Sequence, residues 1–385
     1  MMERQQAARQ QQPAPDMILL FVVLGLCAFG LVMVYSSSAL YARQATGSAT
    51  SYATRQAVYL AAGLLLMWLV YRTGYQRLVR LVYPALLLCL LLLVLVLVPA
   101  LGTRAGGSQR WLRLGPLGFQ PGELVKVVFV LYLAGSLTRK KESIKAFGRG
   151  FLPHLVVSGL LVVLLLMQPD FGTAAVLTLI MFLMLFLAGT RLRYILVSAL
   201  AALPMAYGLV AGSAYRMRRL LAFMDPWTHR FDIGYQISES LMGFGSGGVA
   251  GAGLGAGRHK LFFLPAAHTD FIFSIIGEEL GLLGAAAVLL LFGLLVWRGV
   301  RAAWRVPDLF GSYLAFGLSL LIGLQAMVNM GVVTGLLPTK GLTLPFFSYG
   351  GSSLVCNLLA VGILLSISRE AEVASKPPEA KVTWP

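Results

Sequence analysis

Apolar residues along this chain come in ten long runs, each about the length a helix needs to cross a bilayer, roughly 20 residues. They begin near Met17, Gln56, Val79, Gln120, Phe151, Gly172, Tyr194, Phe271, Phe310 and Tyr349. The runs show neither the two-residue alternation of half-buried strands nor the one-sided stripe of soluble helices. The pattern predicts an all-α integral membrane protein of about ten transmembrane helices. Its membrane domain is expected over residues 17–369, between polar, Pro-bearing tails at 1–16 and 370–385 that read as disordered. Because nine more runs follow, the first reads as a retained anchor and not as a cleaved signal peptide.

Between the seventh and eighth runs the pattern leaves a long segment, about 212–269, too long for a plain connection. It is expected to be an extracytoplasmic loop with a working role. Within it Arg216, Arg218 and Arg219 precede Leu220, Leu221, Phe223 and Met224. That order predicts a short basic amphipathic helix lying in the membrane interface.

Composition agrees with a chain solvated mainly by lipid. Charged residues make up 12% of the sequence, against roughly 25% in soluble domains. The net charge of +16 would suit nucleic acid, but most of the cations sort by topology. The short connections "YRTGYQR", "RKKESIKAFGRG", "TRLR" and "RGVRAAWR" fall on one side, and the opposite connections hold few cations. The positive-inside rule then places both termini in the cytoplasm, as an even number of spans requires. Cys27, Cys89 and Cys356 lie inside apolar runs without metal-ligand spacing, so neither a disulfide framework nor a zinc site is indicated.

Ionisable residues within spans are expensive and point to function by default. "FQPGELVKVV" puts Glu123 and Lys126 three residues apart on one face of the fourth span, either as a plain internal salt bridge or as the lining of a polar cavity. Asp270 opens the eighth span, where an N-cap is the ordinary reading and a reactive carboxylate the sharper one. Glu278 and Glu279 follow inside that span; being adjacent, at most one can share a pocket with Asp270. Asp170 in "MQPDFGT" reads as a turn or N-cap residue. His154, His229 and His259 read as structural or loop residues, whereas His268 is a candidate because it stands two residues before Asp270. "GFGSGGVAGAGLGAGRHK" lacks the spacing of a nucleotide loop and reads as flexible or tightly turned backbone. With Arg110, Arg113, Arg216, Arg258, Lys260 and Lys340, the outer face is suited to an amphiphilic anion, its tail between helices and its head group above.

The stretches "RWLRLGPLGFQPGELVK", "QPDFGT", "HKLFFLPAAHTDFIFSIIGEELGLLG" and "LLPTKGLTLPFFSYGGSS" resemble the SEDS family (shape, elongation, division and sporulation proteins), and its division branch more than its elongation branch. The resemblance runs from about Met17 to Arg369. It implies a peptidoglycan glycosyltransferase that polymerises lipid II at the outer face of the cytoplasmic membrane, at the division septum. By position in the motifs, Asp270 matches the family's catalytic Asp, Glu123 and Lys126 its intramembrane polar pair, and Arg110 and Trp111 its outer loop motif. Arg216, His268 and Lys340 are expected to contact substrate. The implied partners are a class B penicillin-binding protein that crosslinks the product and other membrane proteins of the division machinery, with no nucleic acid. One carboxylate suffices for an inverting transfer, because the lipid diphosphate leaves without being protonated. No organic cofactor is expected, and a divalent cation (Mg or Mn) would be held mainly through the diphosphate. A lipid II flippase is the main alternative, and a division scaffold without activity the third.

Overall fold

The computed structural model of the protein describes residues 15–105, 108–114, 117–261, 263–339 and 341–375. Lys340 and most of both tails lie outside the described residues. The helices in chain order are α1 (Met17–Thr46), α2 (Ser51–Thr73), α3 (Leu78–Leu97), α4 (Pro121–Arg139), α5 (Leu152–Met167), α6 (Phe171–Leu187), α7 (Leu192–Ala211), α8 (Ala214–Met224), α9 (Tyr235–Gly247), α10 (Ile272–Arg305), α11 (Leu309–Val333) and α12 (Gly351–Ser375). Ten of these, all but α8 and α9, correspond to the ten apolar runs. Nine helical stretches among the described residues are long and apolar enough to cross a membrane, and α6 is a shorter apolar helix. The amphipathic reading of residues 216–224 is met by α8.

The two ends of the described chain, near Asp16 and Glu370, meet at one end of the bundle. The carboxylate of Asp16 caps α1 by accepting from Leu19 N at 3.0 Å and also receives Arg298 Nε at 2.6 Å, from late in α10. Its backbone N–H donates to Ser368 of α12 at 3.4 Å. Asp308, the N-cap of α11, accepts from Tyr75 at the α2–α3 turn, and that hydroxyl also donates to Glu370 at 3.1 Å. The fold therefore continues past 369, the expected edge of the membrane domain, and takes in Asp16 and Glu370, which were expected in the tails.

Lipid chains are as apolar as Leu, so helices associate in a membrane through close packing more than through water exclusion. Small residues supply that closeness here. A Cβ on Gly135 of α4 would stand 2.9 Å from Val82 Cγ2 of α3, and one on Gly317 of α11 would stand 2.5 Å from Val130 Cγ1 of α4. As a result α4 is enclosed on nearly all sides, whereas α7 is almost wholly exposed on the perimeter. The helix carrying Glu123 and Lys126 is thus the one best shielded from lipid.

The connection from α3 to α4 holds a three-stranded antiparallel sheet: β1 (Gly102–Ala105), β2 (Ser108–Leu114) and β3 (Leu117–Phe119), in the order β1-β2-β3. Gln109 ties it to α3 by donating to Val96 O at 2.9 Å. Ser352 of α12 takes the Gln120 N–H at 3.0 Å just after β3. This small sheet delivers Arg110 and Trp111.

Candidate active site

The eighth span is not one continuous helix. Gly281 in α10 adopts φ 65° and ψ −160°, a left-handed region that penalises any residue with a Cβ. A break at membrane depth frees backbone groups that must find partners in protein. The Gly-rich segment supplies them. Glu278 O and Glu279 O accept from Ala252 N and Gly253 N at 2.9 Å, and Leu282 N and Leu283 N donate to Gly248 O and Val249 O. The two side chains then grip the same segment further along. Glu278 accepts from Arg258 N and lies 3.0 Å from His259 Nδ1; Glu279 accepts from Gly255 N at 3.0 Å, from Lys260 Nζ at 2.6 Å and from Ser36. Both buried glutamates are therefore committed to holding residues 248–260, and Arg258 and Lys260 are carried on that held segment. Removing Glu279 strands the largely buried Lys260 ammonium, the Gly255 N–H and the Ser36 hydroxyl. We expect Glu279→Ala to destabilise the protein by about 2–4 kcal/mol and to speed hydrogen exchange at 251–260, which exchange mass spectrometry would read.

Asp270 is different. Helix α10 begins at Ile272 with Phe271 as N-cap and no side-chain cap bond, which corrects the N-cap reading of Asp270. The residue is fixed through its backbone instead: Asn329 of α11 donates to Asp270 O at 2.8 Å and to Leu342 O at 2.7 Å. Neighbouring atoms are stitched to the same loop, since Ser348 donates to Thr269 O at 2.6 Å and Tyr349 N to His268 O at 2.9 Å. The loop also comes close to the carboxylate itself, because a Cβ on Gly341 would stand 3.2 Å from Asp270 Oδ2. Burial pushes the Asp270 carboxyl up to about 6, against the lowering pull of Arg110 and Arg219. A carboxylate that caps no helix and joins no ion pair among the described residues, near two guanidinium groups, is a candidate reactive group.

Arg110 is aimed by carbonyls at the start of α6. Its Nε donates to Gln168 O at 3.2 Å, its Nη2 to Pro169 O, and its Nη1 lies 3.9 Å from Asp170 Oδ1. Asp170 is the N-cap of α6, accepting from Thr173 N at 3.2 Å and Thr173 Oγ1 at 2.9 Å, as its sequence suggested. The Arg216 guanidinium stacks 4.3 Å from the centre of the Phe171 ring, beside that same cap. Trp111 lies over Gly118 of the neighbouring strand.

Glu123 and Lys126 form a buried pair at the N-terminal end of α4. Nζ stands 2.9 Å from both Glu123 oxygens, and the side chains are 6% and 1% exposed. Oε2 has no hydrogen-bond partner among the described residues. His268 is ringed by Tyr41, Tyr52 and Tyr349. The sequence reading missed Asn329 and Ser348, which hold Asp270 in place; neutral residues in apolar spans give no charge signal, although Asn inside a span is itself costly. Lys340 cannot be placed, being outside the described residues. An apolar groove of about 650 Å³ between α10 and α11 contains none of these side chains.

A family model described as cell cycle protein, spanning FtsW, RodA and SpoVE, matches residues 17–373. The chain is 48% identical over 353 residues, 92% of its length and 95% of the relative's, to a probable peptidoglycan glycosyltransferase FtsW of Geobacter sulfurreducens. It is 40% identical to stage V sporulation protein E of Bacillus subtilis, over 93% of this chain and 98% of that one. Among solved structures, a chain of a peptidoglycan synthase complex that coordinates polymerization and crosslinking superposes with TM-score 0.77 at 34% identity, covering 93% and 98% of the two chains. The rod shape determining protein RodA of Thermus thermophilus superposes with TM-score 0.68 at 32% identity, covering 93% and 97%.

Proposed function

The chain belongs to the FtsW, RodA and SpoVE family of cell cycle proteins, and from that premise we propose that it is a peptidoglycan glycosyltransferase polymerising lipid II at the outer face of the cytoplasmic membrane during division. The observation that carries the reading is Asp270: held by its backbone, released from capping, and set near Arg110 and Arg219. In the transfer, the Asp270 carboxylate takes the proton of the attacking sugar hydroxyl while that oxygen bonds to the anomeric carbon of the donor. The bond from that carbon to the lipid diphosphate breaks, and attack from the opposite side inverts the centre. The diphosphate departs as an anion, so cations replace the second carboxylate that glycoside hydrolysis needs. Arg110, Arg219 and Arg216 are the described cations nearest this role, and Lys340 belongs to the same proposal. Among the described residues no three His, Cys, Asp or Glu side chains converge to hold a metal. A divalent cation would be held mainly through the diphosphate, where it would help stabilise the leaving charge.

A base must be ionised to work. Because burial raises the Asp270 carboxyl to about 6, polymerisation of lipid II should climb as pH rises through about 6 and level above it. A pH–rate profile checks this, and a rising limb near pH 4 would contradict it. The partner we propose is a class B penicillin-binding protein, supported by the likeness to a chain of a synthase complex, together with other division-machinery proteins at the septum.

We further propose that both termini are cytoplasmic. The native cysteines are all buried, so single cysteines can report sidedness. A membrane-impermeant thiol reagent added to intact cells should label Phe231→Cys, on the long outer connection, and should spare Trp304→Cys near the end of α10. The reverse pattern would overturn the orientation.

A further inference from the structure

Tyr41 near the outer end of α1, Tyr52 in the first turn of α2, His268, and Tyr349 just before α12 come from four separate stretches of chain and meet as one group of rings. Tyr41 and His268 are stacked with centres 5.4 Å apart and planes 29° from parallel. Tyr52 touches His268 at 5.2 Å and Tyr349 at 4.8 Å, while His268 and Tyr349 are 5.9 Å apart. We propose that these four rings form a stacking platform for an N-acetylhexosamine ring of the glycan strand, beside Asp270.

The inference rests on the reading of the chain as a glycan polymerase, and it adds a subsite to that reading. Its first support is position: His268 precedes Asp270 by two residues, and Tyr349 is joined to it by the backbone bond to His268 O. The rings and the carboxylate are thus anchored on the same short stretch of chain, His268 to Asp270. Its second support is construction. Aromatic residues of a membrane belt sit at the lipid perimeter, each anchoring at head-group level. These rings pack on one another, and His268 presents its face to Tyr41. Burial holds the His268 imidazole below its ordinary value, so it is a neutral ring and adds no charge to repel or attract.

The third support is access. Tyr41 remains 46% exposed although one face is spent on His268, so the group is open at one edge. Arg55 is exposed, lies close enough to act on the Tyr349 hydroxyl, and can donate to a hydroxyl or carboxylate. A β-1,4-linked chain of glucose-type pyranoses carries its substituents equatorially, so each ring presents a flat face of C–H bonds. Such a face suits an aromatic ring, and an arginine at its edge suits the polar substituents.

The test uses the full-length chain carrying Asp270→Asn, so that binding is read without turnover, and a soluble uncrosslinked peptidoglycan tetrasaccharide as the probe. Adding Tyr41→Ala or Tyr52→Leu should weaken binding by about tenfold, while Tyr41→Phe and Tyr52→Phe should stay within about twofold, since the ring and not the hydroxyl stacks. Thermal melting of each variant confirms that it is folded. In the otherwise native chain with its transpeptidase, Tyr41→Ala should give shorter strands from lipid II, and Tyr41→Phe strands of ordinary length. No binding of the probe, or equal binding by the Ala, Leu and Phe variants, overturns the platform. If the native chain makes no polymer yet binding follows the ring pattern, the catalytic reading falls and the platform stands.

Discussion

Asp270→Asn is expected to yield a folded, inserted protein that forms no glycan polymer. Asn nearly matches Asp in shape and leaves the backbone carbonyl free to accept from Asn329, which is what holds this position. What it loses is the ability to take a proton, worth roughly 10²–10⁴-fold for a positioned base. Stability should move the other way. The folded-state carboxyl sits at about 6, above its ordinary value, so proton binding favours the fold at low pH and that contribution is lost as pH rises through about 6. At neutral pH the ionised side chain is therefore a burden that the amide does not carry. The melting temperature of Asp270→Asn in detergent should equal or exceed that of the native chain, as when function is held at the expense of stability. Near-normal polymerisation would strip Asp270 of its role, and a sharp fall in melting temperature would make it a structural residue.

Glu123→Gln and Lys126→Met should each be severely damaging, and the double change should cost less than their sum. Both charges are buried in the most enclosed helix of the bundle. Removing either leaves the other without its counter-ion, at about 3–5 kcal/mol. Removing both deletes the attraction but also the penalty of desolvating two ions. A double-mutant cycle on thermal stability, with polymerisation measured in parallel, separates two roles. Strong coupling in stability, with activity returning in the double variant, makes the pair a structural bridge. Coupling in stability without return of activity keeps the pair in the substrate site. Additive losses would contradict the 2.9 Å geometry.

The spans were legible because period and length decide them: about 20 apolar residues admit few readings. That both ends of the membrane domain fall on one side followed from an even number of runs, and the gathering of Asp16, Arg298, Ser368, Tyr75, Asp308 and Glu370 at one end agrees with it. The sheet at 102–119 was harder to see. Its longest strand, "SQRWLRL", lies between "GG" and "GP", turn pairs of a kind that bound strands and hairpins, but it does not alternate cleanly and the neighbouring spans dominate any averaged profile. Glu278 and Glu279 were visible as anomalies, yet their purpose was not. It depends on the break at Gly281 and on a segment some 20 residues away folding back to satisfy the backbone, and no local pattern encodes that meeting. Asp270 stood out as a charge at the mouth of an apolar run, but the capping explanation offered for it does not hold, because Phe271 is the N-cap. Helix propensity marked the boundary, whereas tertiary bonds from Asn329 and Ser348 set where the helix begins.

The central claim is that this chain joins lipid-linked sugars and does not merely move them. The most direct test is to purify the chain with a class B penicillin-binding protein, supply lipid II in detergent, and resolve the product on a gel. We expect a ladder of glycan strands that requires this chain and vanishes with Asp270→Asn. Transfer of lipid II across a reconstituted bilayer with no strand formed, by native protein of confirmed fold, would contradict it and favour a flippase.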